Sequence, residues 1–318
     1  MPSATARAHP NIALAKYWGK RDRALNLPAT PSFSLTLAPY LTRTTVTWGA
    51  ARDRLVLNGQ ETAGDEARKV FLALGRLDPD RPPCAVVTEN NFPTAAGLAS
   101  SASGFATLIL AGAAAAELDL TPAQLAVHAR RASGSATRSL DGGWVVWPSG
   151  VRPDGSDSHG SPVAPADWWD VRMVVAVVQA GPKAVGSTEA MLLTERSSPY
   201  YSAWVAGAPA DVADAVRAVQ DRDLAALGPV IERSAMRMHA SMWAASPPIV
   251  YQAPGTIAAL EAVRRLRVTG VAAWATMDAG PNVKVLCHTV DHARVVAALE
   301  AVVDRVEVLS PGGAAVVE

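Results

Sequence analysis

The sequence predicts an α+β protein of two lobes, on three observations: chain length, the order of strand-like and helix-like segments, and one turn-rich break. With 318 residues, 49% of them apolar, the chain can bury a large core, and its length suits two lobes better than one. Runs of strands are followed by runs of helices without regular alternation, which argues against a doubly wound sheet. Val151 to Ala166, rich in Pro, Gly, Ser and Asp, is the longest loop signal in the chain, so we place the lobes at residues 1–166 and 167–318.

In the first lobe, Leu35 to Leu57 alternates β-branched and polar residues, as in Thr42-Arg43-Thr44-Thr45-Val46-Thr47-Trp48, and reads as strands of a half-exposed antiparallel sheet. Apolar residues at helical spacing mark a helix over Ala63 to Leu77, and Cys84 to Thr88 is a short strand that runs into the turn at Asn90-Asn91-Phe92-Pro93. A helix begins after Gly97, with Ser100 and Ser101 as cap candidates, and continues to Glu117. Thr121-Pro122-Ala123-Gln124 combines a capping box with proline at the first helical position and opens another helix to about Ala132. Gly142 to Trp147 reads as a strand.

The second lobe starts with an apolar strand, Val171 to Val178, and helical patterns then cover most of Ser187 to Ala245 and Thr256 to Arg267. It closes with a strand at Val271 to Thr276, a turn from Met277 to Pro281, a strand at Val283 to His288, a helix from Asp291 and a last strand at Val306 to Leu309. This half is helix-heavy.

Bulk properties exclude several classes of function. Lys plus Arg and Asp plus Glu both number 29, so no overall field attracts nucleic acid or an anionic membrane, and any anion must be captured locally. The longest lipid-like run, Gly104 to Ala116, is too short to span a bilayer, and Met1 to Pro10 has no signal-peptide core. Cys84 and Cys287 lie far apart and read as reduced thiols, which points to a cytoplasmic setting.

Four segments carry possible chemistry. Asn91 to Ala102 places small residues, a glycine and two hydroxyls before an apolar helix, whose free N–H groups can cradle a phosphate. It lacks the lysine of a GxxxxGK[ST] loop, and a helix end contributes only about 0.3–2 kcal/mol toward an anion, so Mg²⁺ and cationic side chains must add to it. A plain capped helix would carry the same pattern. Asn11 to Asp22 sets Lys16 and Lys20 among apolar and aromatic neighbours, where a lysine is rare without an anion to meet, although a strand with snorkelling lysines would look alike. Ser133 to Ser139 offers hydroxyls and one guanidinium, the means to hold a carboxylate or phosphate, or simply a polar loop. Thr276 to Asn282 sets Asp278 in a Gly-Pro turn between apolar strands, where it is aimed into a cleft or bonds its own turn.

Together, the stretches Asn11–Asp22, Asn91–Gly104, Ser133–Gly143, Lys183–Thr194 and Met277–Val283 resemble, in order and spacing, the diphosphomevalonate decarboxylase family of the GHMP kinase superfamily. The resemblance implies a two-lobed GHMP kinase-like fold with antiparallel sheets and a cleft between the lobes. It also implies a homodimer, with ATP and Mg²⁺ used to convert (R)-5-diphosphomevalonate to isopentenyl diphosphate, carbon dioxide, ADP and phosphate. A 3-hydroxy acid has no carbonyl to accept electrons from a departing carboxylate, so its hydroxyl must first become a phosphate leaving group.

By the same resemblance, Asp278, Lys16, Thr188 and Arg138 are catalytic, with Asp278 as an orienting group and late proton acceptor because the ammonium beside it lowers its pKa. Tyr17, Trp18, Gly19, Lys20, Arg68, Ser133, Gly134, Ser135, Ala136, Thr137, Ser187 and Thr188 match substrate-binding positions, with Arg138 for the substrate carboxylate or phosphates. Pro93, Gly97, Leu98, Ala99, Ser100, Ser101 and Ala102 match the ATP loop, with Mg²⁺ held through the phosphates and Ser101. Two positions depart from the family: Thr137 stands where cysteine is common, and Asp141, where an aromatic residue is common, would repel an anion if it faced the site. The rivals are a kinase or decarboxylase of mevalonate or its monophosphate, whose relatives tend to lack parts of the Asp/Lys/Thr set, and a silent diphosphate-binding paralogue.

Overall fold

The computed structural model describes residues 1–92, 100–179 and 185–318. The first half opens with β1 (Ser3–Ala8), β2 (Asn11–Ala15), the short pair β3 (Lys20–Asp22) and β4 (Leu27–Pro28), β5 (Ser32–Ala38), β6 (Thr42–Trp48), β7 (Arg54–Leu57) and β8 (Gln60–Thr62). It continues through α1 (Gly64–Leu77), β9 (Cys84–Asn90), α2 (Ser100–Ala115), α3 (Pro122–Ala132), a 3-10 turn (Gly134–Arg138), β10 (Trp144–Trp147) and β11 (Ser161–Ala164). The second half contains β12 (Val171–Ala176), α4 (Ser187–Ser197), α5 (Tyr201–Gln220), α6 (Leu224–Trp243), α7 (Pro254–Val268), β13 (Ala273–Met277), β14 (Val283–His288), α8 (His292–Glu300), β15 (Val306–Pro311) and β16 (Val316–Val317).

These strands form two main sheets. One is six-stranded, ordered β16-β1-β6-β9-β7-β8, and its inner face is covered by α1, α2 and α3. Alternation in β6 puts Thr42, Thr44, Val46 and Trp48 inward. Helix α2 is apolar along most of its length because β1 and β6 lie below it and α1 and α3 flank it, while Ser101 and Phe105 look onto the clefts described below. The other sheet is eight-stranded, ordered β11-β10-β5-β15-β12-β14-β13 with β2 also paired to β5. Helices α5 and α6 pack on it through Val212, Ala215, Leu227 and Ile231, and α7 and α8 through Val263, Val295 and Leu299. Strands from both halves of the chain share this second sheet, so it runs continuously past residue 166.

The architecture is the expected mixed α+β, with local departures. β7 pairs parallel to β9, where an all-antiparallel sheet was expected. The Val151–Ala166 stretch read as loop contains β11, an edge strand whose Pro162 is tolerated because one side of the strand makes no ladder bonds. Ser100 and Ser101 fall inside the first turn of α2, so neither is the residue before it. The capping box of α3 forms as read, with Gln124 N–H donating to Thr121 Oγ1 and Thr121 N–H to Gln124 Oε1. Among the described residues no helix is long and apolar enough to cross a membrane.

Candidate active site

Five segments converge on one cleft of about 380 Å³. They are the end of β2, the 3-10 turn after α3, the N-terminal turns of α2 and α4, and the turn between β13 and β14.

Asp278 and Lys16 meet at its floor. Lys16 Nζ donates to Asp278 Oδ1 at 2.6 Å and to the Ala13 carbonyl at 2.7 Å, while its backbone N–H donates to Ser234 Oγ of α6 at 2.9 Å. A second ammonium, Lys284 Nζ, lies 3.2 Å from Asp278 Oδ2. It reaches the carboxylate because β14 places Lys284 opposite Thr276, two residues before Asp278. Burial opposes ionisation of Asp278, but the attraction of Lys16 and Lys284 outweighs it and holds the carboxyl far below the usual range. For Lys16, burial is the larger influence: it brings the ammonium down to about 8 against the pull of Asp278, with Lys284 and Arg138 adding repulsion. The carboxylate thus faces three cations, and the floor of the cleft is electropositive.

Arg138 is that third cation. Its Nε donates to Asn11 Oδ1 at 3.2 Å and its Nη1 to Ser32 Oγ at 2.5 Å, and its guanidinium stacks over Trp147 at 5.6 Å. Burial pulls it down to about 10, which leaves it charged. In a 3-10 turn residues three apart share a face, so Ser135 and Arg138 look into the cleft together, beside Ser133 and Gly134. Ala136 and Thr137 are corrected on this ground. Both are buried away from the cleft, and Thr137 Oγ1 accepts the Gly160 N–H at 2.7 Å.

Tyr17, Trp18 and Lys20 line the near wall. Tyr17 Oη and Trp18 Nε1 are buried with no hydrogen-bond partner, and burial raises the phenol, so Tyr17 stays a neutral donor. Gly19 does not line the cleft; its φ of +98° turns the chain, and a Cβ there would lie 2.0 Å from Tyr201 Oη. Lys20 and Lys69 border the cleft with no carboxylate within ion-pair distance among the described residues. Arg68 is the second correction: it points to solvent and pairs with Asp65, because one helical residue turns the side chain about 100° away from the face where Lys69 sits.

At the far rim, Ser101 opens α2, and Ser187 and Thr188 open α4. Beyond Ser101 lies a second, more apolar cleft of about 420 Å³, which shares Lys69, Ser101 and Phe105 with the first and adds Leu55, Leu57 and Val70. Ser100 lines only this second cleft, and Ala102 is buried in the core of α2, outside both. Pro93, Gly97, Leu98 and Ala99 lie outside the described residues. The hydroxyls of Ser101 and Thr188 are hard oxygen donors of the kind Mg²⁺ takes alongside phosphate oxygens and water. Asp141 is not in the cleft lining; burial raises its carboxyl, with His159 opposing.

Sequence reasoning passed over Lys284, Lys69, Asn11 and Asn26. The signal that marked Lys16, a lysine inside an apolar strand, also marks Lys284 between Val283 and Val285. Lys69 follows from the α1 face shared with Val70 and Ala73.

Two family models match the chain: the diphosphomevalonate decarboxylase-like N-terminal domain over residues 8–160 and the mevalonate 5-diphosphate decarboxylase C-terminal domain over residues 173–310. Diphosphomevalonate decarboxylase of Aspergillus fumigatus is 41% identical over 303 residues, covering 88% of this chain and 75% of the relative. Mevalonate diphosphate decarboxylase from Staphylococcus aureus superposes with a TM-score of 0.94 at 34% identity, over 100% of this chain and 98% of that one. A structure of MDDEF in complex with MVAPP, AMPPCP and magnesium superposes with a TM-score of 0.93 at 35% identity, over 99% of this chain and 98% of that one.

Proposed function

The chain belongs to the diphosphomevalonate decarboxylase family, and from that premise we propose that Asp278, Lys16, Thr188 and Arg138 form the reacting centre of its ATP-dependent decarboxylation of (R)-5-diphosphomevalonate. The products are isopentenyl diphosphate, carbon dioxide, ADP and phosphate, a step of the mevalonate pathway. The observation that carries the assignment is the Lys16–Asp278 pair at 2.6 Å on the floor of a cleft that Arg138, Thr188 and Ser101 also line.

Tyr17, Lys20 and the Ser133–Ser135 face hold the diphosphate, and Arg138 holds the carboxylate. The N-terminus of α2, Ser101 and Lys69 hold the ATP phosphates, and the apolar second cleft receives the adenosine. The Ser101 and Thr188 hydroxyls would hold Mg²⁺ beside the ATP phosphates, where it would supply positive charge against the charge that develops there. Asp278 orients the 3-hydroxyl. As that oxygen bonds the γ-phosphorus and the bridge to ADP breaks, the hydroxyl proton becomes acidic enough to pass to a carboxylate held this far below the usual range. Thr188 hydrogen-bonds the moving phosphoryl group. The C3–O bond then breaks with its electron pair on phosphate. Lys16 and Arg138, which line the cleft, stabilise the departing anion, with Lys284 acting through Asp278, and the pair from the carboxylate bond closes the alkene as carbon dioxide leaves.

Equimolar ADP and carbon dioxide released from diphosphomevalonate, with neither from mevalonate, is the expected result of a coupled assay. ADP without carbon dioxide would make the protein a kinase. We further propose lobes at 1–166 and 167–318, a homodimer and a cytoplasmic setting. The family-model limits of 8–160 and 173–310 support the first, and two free buried cysteines are consistent with the last. Light scattering in solution tests the dimer.

A further inference from the structure

A regular β2 would point Lys16 into the core. Successive residues of a strand face opposite ways, so Lys16 would share a face with Ile12 and Leu14, both packed in the apolar core. Asn11 and Ala13, on the other face, line the cleft, yet Lys16 lines it too. A β-bulge makes the change of face. Against β5, Ala13 pairs with Ser34 and Ala15 with Phe33, so two residues of β2 advance against one of its partner, and the side chains that follow change sides. The bulge also supplies an acceptor, because the Ala13 carbonyl takes Lys16 Nζ at 2.7 Å beside the bond to Asp278.

Pairing with β5 ends at Ala15, and the next N–H, that of Lys16, donates instead to Ser234 Oγ of α6 at 2.9 Å. Ser234 is 1% exposed, so this bond sits away from water. Two residues earlier on α6, Glu232 Oε1 accepts the Ala275 N–H of β13 at 3.1 Å and pairs with Arg267 Nη1 at 2.8 Å. Ala275 lies three residues before Asp278. One helix therefore holds both backbones from which the Lys16–Asp278 pair projects. We propose that Ser234 is a positioning residue: its hydroxyl locks the bulged end of β2 to α6 and so sets the Lys16 ammonium against Asp278 in the cleft. This deepens the assignment of Lys16 to the reacting centre and rests on it. Small displacements of a reacting group cost up to about 100-fold in rate, so loss of the lock falls on kcat.

The test compares Ser234→Thr with Ser234→Val. The two new side chains have the same shape and only threonine keeps the hydroxyl, so the pair separates the hydrogen bond from packing. Expected is a kcat for Ser234→Val about 10-fold or more below that for Ser234→Thr, with nearly equal KM for diphosphomevalonate. Equal kcat in the two, or a difference in KM alone, would overturn the proposal. In a Lys16→Met background the difference should vanish; a persisting difference means that Ser234 does not act through Lys16. Wild-type turnover by Lys16→Met alone would instead sink the reading of Lys16, a separate outcome. The pH profile gives a second readout. Burial, Lys284 and Arg138 favour loss of the Lys16 proton and Asp278 opposes them, so an ammonium that slips from the carboxylate deprotonates more readily. The alkaline limb of kcat/KM should therefore fall at lower pH in Ser234→Val than in Ser234→Thr. If the β-branched variants do not fold, Ser234→Ala decides: a lower kcat with the limb moved below about 8 is expected, and an unchanged rate and limb contradict the proposal.

Discussion

Replacing Lys284 with methionine removes one of two ammoniums from Asp278 while keeping the length of the side chain. The lost contact is a charge-assisted bond of 3.2 Å between groups that are 1% and 29% exposed. Such bonds contribute about 1.5–3 kcal/mol, and breaking a buried pair outright costs about 3–5 kcal/mol. Lys16 stays at 2.6 Å, so Asp278 is not orphaned, and methionine relieves the burial of an ammonium. The lower range therefore applies, with a loss of about 2 kcal/mol in stability and a fall of several degrees in Tm. In catalysis the same 1.5–3 kcal/mol comes from holding the Asp278 carboxylate ionised and in place from behind, so kcat/KM should drop about 10–100-fold in the coupled ADP and carbon dioxide assay. A variant with native Tm and unchanged kcat/KM would show that Lys284 only fills space, and would refute the picture of a carboxylate set between two ammoniums.

Three further outcomes follow from the geometry. Because Lys16 titrates near 8 in the folded protein, kcat/KM should decline as pH rises through about 8. Between about 8 and the usual lysine value of 10.5 the unfolded chain holds a proton that the folded Lys16 has released, so this group's contribution to stability rises with pH while activity falls. A combined activity and chemical-denaturation profile reads both trends, and a flat alkaline limb contradicts the Lys16 role. Lys69→Ala should raise KM for ATP about 10-fold, measured at saturating diphosphomevalonate, whereas Arg68→Ala should leave KM for diphosphomevalonate unchanged; a raised KM for diphosphomevalonate in Arg68→Ala would restore it to the site. Arg138→Gln should lower kcat/KM by about 10²-fold or more and reduce stability by about 1–3 kcal/mol on thermal melting, since Ser32 Oγ and Asn11 Oδ1 lose their donor.

What was legible in the sequence was mostly what is local. The α3 capping box involves neighbours three residues apart, and the alternation in β6 reports one buried face directly. The continuous apolarity of α2 announced burial, though not that α1, α3 and the first sheet would supply it. Features set by distant partners were not legible. β7 pairs parallel to β9 because the chain passes through α1 between them, which alternation cannot reveal. The turn around Asp278 read equally well as self-bonded; only the register of β13 against β14 brings Lys284 to the carboxylate, and only the end of β2 brings Lys16. Arg68 and Lys69 differ by one residue, and which of them faces the cleft depends on the phase of α1, set by Ala73, Leu74 and Leu77, which are buried where α1 packs on α2 and α3. The Ser133–Arg138 segment was found as a stretch, but the 3-10 geometry divides it into a face that meets the cleft and a face that is buried.

In the proposed mechanism Asp278, held ionised between Lys16 and Lys284, orients the 3-hydroxyl and takes its proton late. A single-turnover measurement of ADP and carbon dioxide with Asp278→Asn tests it most directly. Asparagine keeps the size and the hydrogen-bonding reach but cannot accept the proton as a carboxylate does. Both products should slow together by about 10²–10⁴-fold while diphosphomevalonate still binds. Wild-type rates, or ADP formed at full rate with only carbon dioxide delayed, would contradict it.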